Sequence, residues 1–202
     1  WHDHGNETDQ PMVWLDGLDV PLVETLDTTF AEPYPETVQP AARPSGDSLA
    51  RYGMGLAPVD HEQKSPNSPI FNYPYVRTRE ALETIRKTEE WDVCHGLKLR
   101  YINPDNGQSA MPTLGTFMQL LPKDFETSTY KSTDATVFSV VEGSGKSFIG
   151  DQIFEWSKRD HFVVPCWMPQ KHIANEDAVM FSFSDRPVQQ ALGLWREDRG
   201  NN

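Results

Sequence analysis

The first nineteen residues carry the most specific chemical signal of this chain, and they read Trp1-His2-Asp3-His4-Gly5-Asn6-Glu7-Thr8-Asp9-Gln10-Pro11, then Met12-Val13, and then Trp14-Leu15-Asp16-Gly17-Leu18-Asp19. His2 and His4 are two residues apart, and on a strand that spacing puts both imidazoles on one face. Neutral imidazole binds iron, zinc, copper and nickel, so the pair predicts part of a metal site. Two solvated or core histidines are the commoner alternative, and two histidines alone do not complete a metal site.

The same nineteen residues resemble a motif of the gentisate 1,2-dioxygenases, a family built from cupin barrels. In that motif Trp-His-x-His-x-Asn is followed by Glu-Thr-Asp-Gln-Pro and by a Trp-Leu-Asp-Gly-Leu-Asp strand, and all three segments are present here. The resemblance implies that His2 is one of three histidine ligands of Fe(II). It also implies catalytic positions for His4, beside the metal and the substrate, and for Asp16, which lines the same pocket.

The resemblance further implies that the metal site is incomplete in this chain. The family's other two iron ligands form a His-x-His pair upstream of the motif, and the chain starts at Trp1. We therefore expect the C-terminal part of a longer enzyme. With one ligand of three, the 202 residues alone are expected to show little or no ring-cleaving activity.

For the intact enzyme, the resemblance implies a non-haem Fe(II) extradiol-type dioxygenase of aromatic compound catabolism. Its partners would be gentisate, a small aromatic hydroxy acid, and O2, with maleylpyruvate as product; salicylate and 1-hydroxy-2-naphthoate are the related substrates. A homo-oligomer such as a tetramer is expected. A different hypothesis is a catalytically silent cupin that serves binding or oligomerisation. A His-x-His upstream of Trp1 would favour the enzyme.

Composition excludes some partners. The chain has 18 basic and 30 acidic residues, a net charge of −12, which argues against a nucleic-acid backbone or an anionic membrane surface. It has no apolar run near 18 residues, the length that a transmembrane helix needs. Cys94 and Cys166 lack the CxxC spacing of many metal and redox sites, so two reduced thiols in a cytoplasmic protein are expected.

Three regions are predicted along the chain. Residues 1–30 are expected to be the final strands of a truncated N-terminal cupin, with a strand over 12–20. Residues 31–95 hold eight prolines between positions 33 and 74, which favours an extended connector, followed by a helix over 77–91 with Thr78 as its cap. Residues 96–202 are predicted to be a C-terminal cupin that lacks a full metal site, plus a terminal helix.

The last region has the pattern of an all-β protein, and the resemblance specifies a cupin, the double-stranded β-helix or jelly-roll barrel. Short strand patterns separated by turn signals are typical of sandwiches and barrels. The predicted strands cover 97–102, 114–121, 136–141, 147–149, 152–156, 161–164 and 178–183. A short helix is expected over 188–195, with Pro187 in its first turn.

In this second barrel, the resemblance places the metal-ligand positions on Tyr130, Ser132 and Gln170, with His172 in the trailing position. These side chains are poor ligands for Fe(II), so packing, assembly and shaping of the neighbouring site are the expected work of the barrel. The alternative is a site made of His161, His172 and Cys166. A thiolate beside imidazoles would suit zinc better than oxygen chemistry.

Overall fold

The structure is a computed structural model that describes residues 4–6, 8–40, 42–88 and 90–200. The chain divides into two compact units, Trp1–Asp47 and Ser48–Asn202. The predicted region boundaries at residues 30 and 95 are not tested by this division and stay a prediction. No helix in the described ranges is long and apolar enough to cross a bilayer.

The strand predicted over residues 12–20 is wrong. Residues 11–19 form no regular element, and a helix, α1 (Val20–Thr25), begins where the strand was expected to end. Pro21 lies in the first turn, where its missing N–H removes no helical hydrogen bond, and the Asp19 carbonyl accepts from the amides of Leu22 and Val23. A strand needs a neighbour for its backbone groups, and in the described part of this unit none pairs with this segment.

Two helices precede the sheets of the second unit, α2 (Asp47–Tyr52) and α3 (Tyr75–Ile85). The helix predicted over 77–91 therefore begins two residues earlier and ends six residues earlier. Pro74, with an extended backbone, is the N-cap, so Thr78 is not a cap; its hydroxyl instead accepts a hydrogen bond from Tyr101 at 3.0 Å. Leu82 is fully buried and packs this helix onto the sheet.

The second unit is built from two antiparallel sheets. The larger has the strand order β1-β2-β9-β4-β7 and the smaller β6-β5-β8, while β3 pairs with β10. The strands are β1 (Leu97–Arg100), β2 (Gly115–Leu121), β3 (Lys131–Ser132), β4 (Thr136–Glu142), β5 (Ser144–Ile149), β6 (Gln152–Ser157), β7 (His161–Val164), β8 (Gln170–Ala174), β9 (Ala178–Ser184) and β10 (Glu197–Asp198).

Each of the seven predicted strands is present, with ends shifted by up to three residues. The C-terminal helix is α4 (Arg186–Ala191) rather than 188–195, with Pro187 in its first turn as predicted. Strand β8 was missed by the sequence analysis. Its inward-facing residues include Gln170 and His172, and buried polar side chains hide the apolar alternation that marks a strand.

The core has two parts, one on each face of the larger sheet. Inside the barrel, a cluster that includes Phe138, Met180 and Trp156 joins the two sheets. On the outer face, Leu120 and Val179 pack with Leu82 of α3. The chain passes from one sheet to the other at Gly143, whose φ of 81° is a conformation that residues with a Cβ rarely adopt.

Candidate functional site

The predicted metal ligand His2 lies outside the described residues. His4 is exposed, and its imidazole stacks on the indole of Trp14, with ring centroids 4.8 Å apart and planes 16° from parallel. The turn between them is closed by Asn6, whose side chain donates to the Gln10 carbonyl at 2.8 Å and accepts from the Thr8 amide at 3.1 Å. Local hydrogen bonds and a ring contact therefore fix the position of His4 within this segment.

Asp16 is exposed and makes no hydrogen bond or ion pair with any described residue. The structure thus places His4 and Asp16 in one solvent-facing segment, and no hydrogen bond joins them. In the described ranges, no group of three or more His, Cys, Asp or Glu side chains is arranged to hold a metal ion. The described residues of this segment therefore form no metal site of their own.

Gln170 and His172, on two positions that the resemblance singles out in this barrel, belong to a continuous hydrogen-bond chain. The indole N–H of Trp156 donates to Ser147 Oγ at 2.8 Å, and Ser147 Oγ lies 2.7 Å from His172 Nδ1. Gln170 Oε1 can only accept, so His172 Nε2 carries the proton and donates to it at 3.1 Å, and Nδ1 accepts from the Ser147 hydroxyl. Burial lowers the pKa of His172 to about 3, so the ring is neutral near pH 7.

Both nitrogens of His172 are therefore engaged, and neither faces an open coordination position. His161 and Cys166 are exposed, whereas His172 is buried. The structure does not bring these three residues together, so the alternative zinc site of His161, His172 and Cys166 is wrong.

Tyr130 and Ser132 belong to a second network at one end of the barrel. The Tyr130 hydroxyl donates to Glu197 at 3.0 Å and accepts from Arg186 at 3.3 Å. Arg186 also donates to Asp134 at 3.1 Å, and the Trp195 indole donates to the other Asp134 oxygen at 2.9 Å. Burial raises the pKa of Asp134, but the Arg186 cation and these hydrogen bonds outweigh it and leave the pKa lowered.

Sequence reasoning missed three polar residues inside this barrel: His95, Lys98 and Gln119. Burial, with a contribution from Arg186, lowers the pKa of Lys98 to about 8. Burial and the Lys98 charge lower the pKa of His95 to about 3, and its ring stands edge-on to Tyr130 with centroids 4.5 Å apart. No local motif marks these residues, because Lys98 and Gln119 meet only through the pairing of β1 with β2.

Comparison with known proteins extends along the whole chain. No protein-family model matches it. The chain is 62% identical to gentisate 1,2 dioxygenase 1 of Aquipseudomonas alcaligenes over 98% of its length, and 37% identical to a Streptomyces gentisate 1,2-dioxygenase over all of it. A 5-aminosalicylate 1,2-dioxygenase of Comamonas is 34% identical. The chain spans 57%, 58% and 53% of these relatives, a little more than half their length.

Two solved structures match this chain over nearly its whole length. A variant of salicylate 1,2-dioxygenase from Pseudoaminobacter salicylatoxidans, in complex with gentisate, superposes with a TM-score of 0.88 at 33% identity, covering 98% of this chain and 56% of that one. A second structure of the same enzyme gives a TM-score of 0.85. The predicted all-β cupin fold is thereby confirmed.

Proposed function

Because this chain belongs to the gentisate 1,2-dioxygenase family, we propose that the protein of which it forms a part opens the aromatic ring of gentisate with O2 and yields maleylpyruvate. The observation that supports this most strongly is the 62% identity over 98% of the chain. Since the chain spans 57% of that relative, the activity is proposed for the whole protein.

We assign His2 as the residue of this chain that binds Fe(II), through a neutral imidazole nitrogen. When bound, Fe(II) supplies the path by which electron density passes from the ring to O2. The described residues fit a contributing role only, because they form no group of donors. The remaining ligands are proposed to come from a His-x-His pair elsewhere in the protein.

His4 is proposed to hydrogen-bond the substrate or oxygen and to move a proton at its ring nitrogen. Its stacking on Trp14 supports this role, because a ring held at 4.8 Å from an indole has fewer orientations to lose when substrate binds. Asp16 is proposed to orient His4 or to accept a hydrogen bond from a substrate hydroxyl. Its carboxylate is free to do so among the described residues, since none of them holds it.

Gentisate is the preferred substrate among related hydroxy acids. The relatives that act on 5-aminosalicylate and 1-hydroxy-2-naphthoate are 34% and 29% identical, against 62% for the gentisate enzyme. We further propose a cytoplasmic homo-oligomer, with a tetramer as the expected form. Cys94 and Cys166 are both free thiols, which suits a reducing compartment.

Replacing His2 by Ala in the whole protein tests the assignment. We expect the variant to lose its iron and its gentisate-dependent oxygen uptake, because a triad with two ligands binds Fe(II) weakly. Iron content after gel filtration and oxygen consumption are the measurements. His161→Ala, which removes an exposed imidazole from β7, is the matched control and should retain both. Full iron content in the His2→Ala protein would rule out His2 as a ligand.

A further inference from the structure

A row of side chains crosses the larger sheet on its inner face. Lys98 of β1 lies directly opposite Gln119 of β2, and Gln119 lies opposite Met180 of β9. Met180 belongs to the core cluster inside the barrel. Because directly opposed residues of an antiparallel pair share one face, Lys98 and Gln119 both face the barrel interior.

The ammonium group of Lys98 has aromatic neighbours and no counter-ion. Its Nζ lies 5.0 Å from the ring centroid of Phe117 and 5.9 Å from that of Phe138, and no carboxylate in the described ranges pairs with it. The one fully buried acid nearby, Asp134, is held by Arg186 and Trp195. Lys98 is therefore a cation without its own partner in the interior of the barrel.

Two hydrogen-bonding groups beside this cation are also unmatched. Gln119 is 1% exposed, and within the described chain neither its amide nitrogen nor its oxygen has a partner. The hydroxyl of Ser182, which lies across from Phe117 and Phe138, is likewise buried without a partner. Folded proteins rarely leave buried polar groups unpaired, so these two groups, on the same face as an unpaired cation, point to a missing partner.

We propose that the interior of the C-terminal barrel binds a small organic carboxylate. The carboxylate pairs with Lys98 and accepts hydrogen bonds from the amide of Gln119 and the hydroxyl of Ser182. One unmatched positive charge fits a monoanion, and the rings of Phe117 and Phe138 provide an apolar surface for its body.

Entry is from the side of Lys98. This residue keeps part of its surface accessible, whereas Gln119 is sealed, so a ligand reaches Lys98 first and engages Gln119 by rotation of its side chain. The site is distinct from the ligand positions of the barrel, because His172 and Gln170 are already bonded to each other. It is independent of the proposed ring cleavage, which depends on residues of the first unit.

Calorimetric titration of the 202-residue chain with sodium benzoate, in buffer containing a metal chelator, tests the proposal. We expect saturable binding with one site per chain, and no binding of the neutral amide benzamide. Lys98→Met should weaken benzoate binding roughly 30-fold or more, the usual effect of removing one member of a buried charge pair. Lys146→Met is the matched control, since Lys146 also lies over a ring, that of Phe148 at 5.6 Å, but on the outer face of β5.

Gln119→Glu provides a second, independent test. The new carboxylate has the size of the amide and would itself pair with Lys98, so the variant should fold and should no longer bind benzoate. Absence of benzoate binding to the unmodified chain would overturn the proposal. Equal binding by the Lys98→Met and unmodified chains, or by the Gln119→Glu chain, would overturn it as well. Lost binding in Lys146→Met would show that only overall charge matters.

Discussion

Single residues inside the barrel show why the second cupin does not resemble a metal site. His172 remains a histidine, but Ser147 occupies its Nδ1 and Gln170 its Nε2. Gln170 Oε1 can only accept, so in the neutral ring Nε2 carries the proton and Nδ1 accepts from Ser147. The side chain that most suggests metal binding in the sequence is thus a structural hydrogen-bonding residue.

Removing Ser147 should destabilise the barrel. Ser147→Ala leaves the buried indole N–H of Trp156 and Nδ1 of His172 without their shared partner, and an unmatched buried polar group costs about 1–3 kcal/mol. We expect urea denaturation to show a loss of this size in the free energy of unfolding. Ser139→Ala, which removes a half-buried hydroxyl from β4, should change it by much less. Equal effects of the two substitutions would contradict a stabilising role for the hydrogen bonds of Ser147.

Lys98 should make stability depend on alkaline pH. Its pKa is about 8 in the folded chain and 10.5 in the ordinary state, so between these values the unfolded chain binds the extra proton and stability rises with pH. The gain should be on the order of 2–3 kcal/mol after allowance for its partial exposure. Among the neighbouring charges, that of Arg186 lowers the pKa of Lys98, and those of Asp134 and Asp92 raise it.

Urea unfolding at pH 7.5 and pH 10.5 measures this effect. The unfolding free energy of the unmodified chain minus that of Lys98→Met should become more positive as the pH rises, because only the unmodified chain has the buried amine. Lys146→Met should follow the unmodified chain. Parallel pH profiles for the Lys98→Met and unmodified chains would mean that the amine is hydrated in the folded state.

At the scale of elements, strands with several apolar core residues were predictable from the sequence, whereas β8 was not. β2, β4 and β9 alternate or run apolar through the core, so their positions follow from the sequence. Strand β8 was not predicted because its buried residues include Gln170 and His172, which hide the apolar alternation of a strand. The predicted strand over 12–20 failed because pairing depends on a neighbour that local pattern does not reveal.

The corner at Gly143 is the element-scale feature most sensitive to substitution. A Cβ there would lie 2.5 Å from the carbonyl oxygen of Asp177, in addition to the strain of φ 81°. Gly107 has φ 70° but open space around it, so substitution there measures the cost of the backbone conformation without a steric clash. We expect Gly107→Ala to cost about 1–2 kcal/mol, and Gly143→Ala to cost about 1–3 kcal/mol more. Thermal denaturation of the two variants measures the difference. Equal melting temperatures would contradict a steric clash at position 143.

At the scale of the whole molecule, the candidate sites differ in how far sequence could locate them. His2, His4 and Asp16 come from one contiguous motif. Lys98 and Gln119 are 21 positions apart and meet only through the register of β1 and β2, which local sequence does not specify. The proposed carboxylate site could therefore be located only from the coordinates, whereas the proposed iron ligand follows from a resemblance in sequence.

The chain and the whole protein are predicted to differ in ring-cleaving activity. The 202-residue chain alone should form no measurable maleylpyruvate from gentisate and O2, because it holds one proposed ligand of the iron. The whole protein, purified and assayed with added Fe(II) in parallel, should form it. Turnover by the isolated chain at a comparable rate would place the full set of iron ligands within these residues.

The hydrogen bonds at His172 also determine what a protein engineer would have to change to build a metal centre in this barrel. Gln170 Oε1 is the acceptor that keeps the proton on His172 Nε2, so replacing Gln170 by histidine would free that nitrogen and bring in a second imidazole. Ser147 could stay, because its oxygen can accept a hydrogen bond from Nδ1–H while it still accepts one from the indole of Trp156. A single substitution would therefore be the first step of such a conversion.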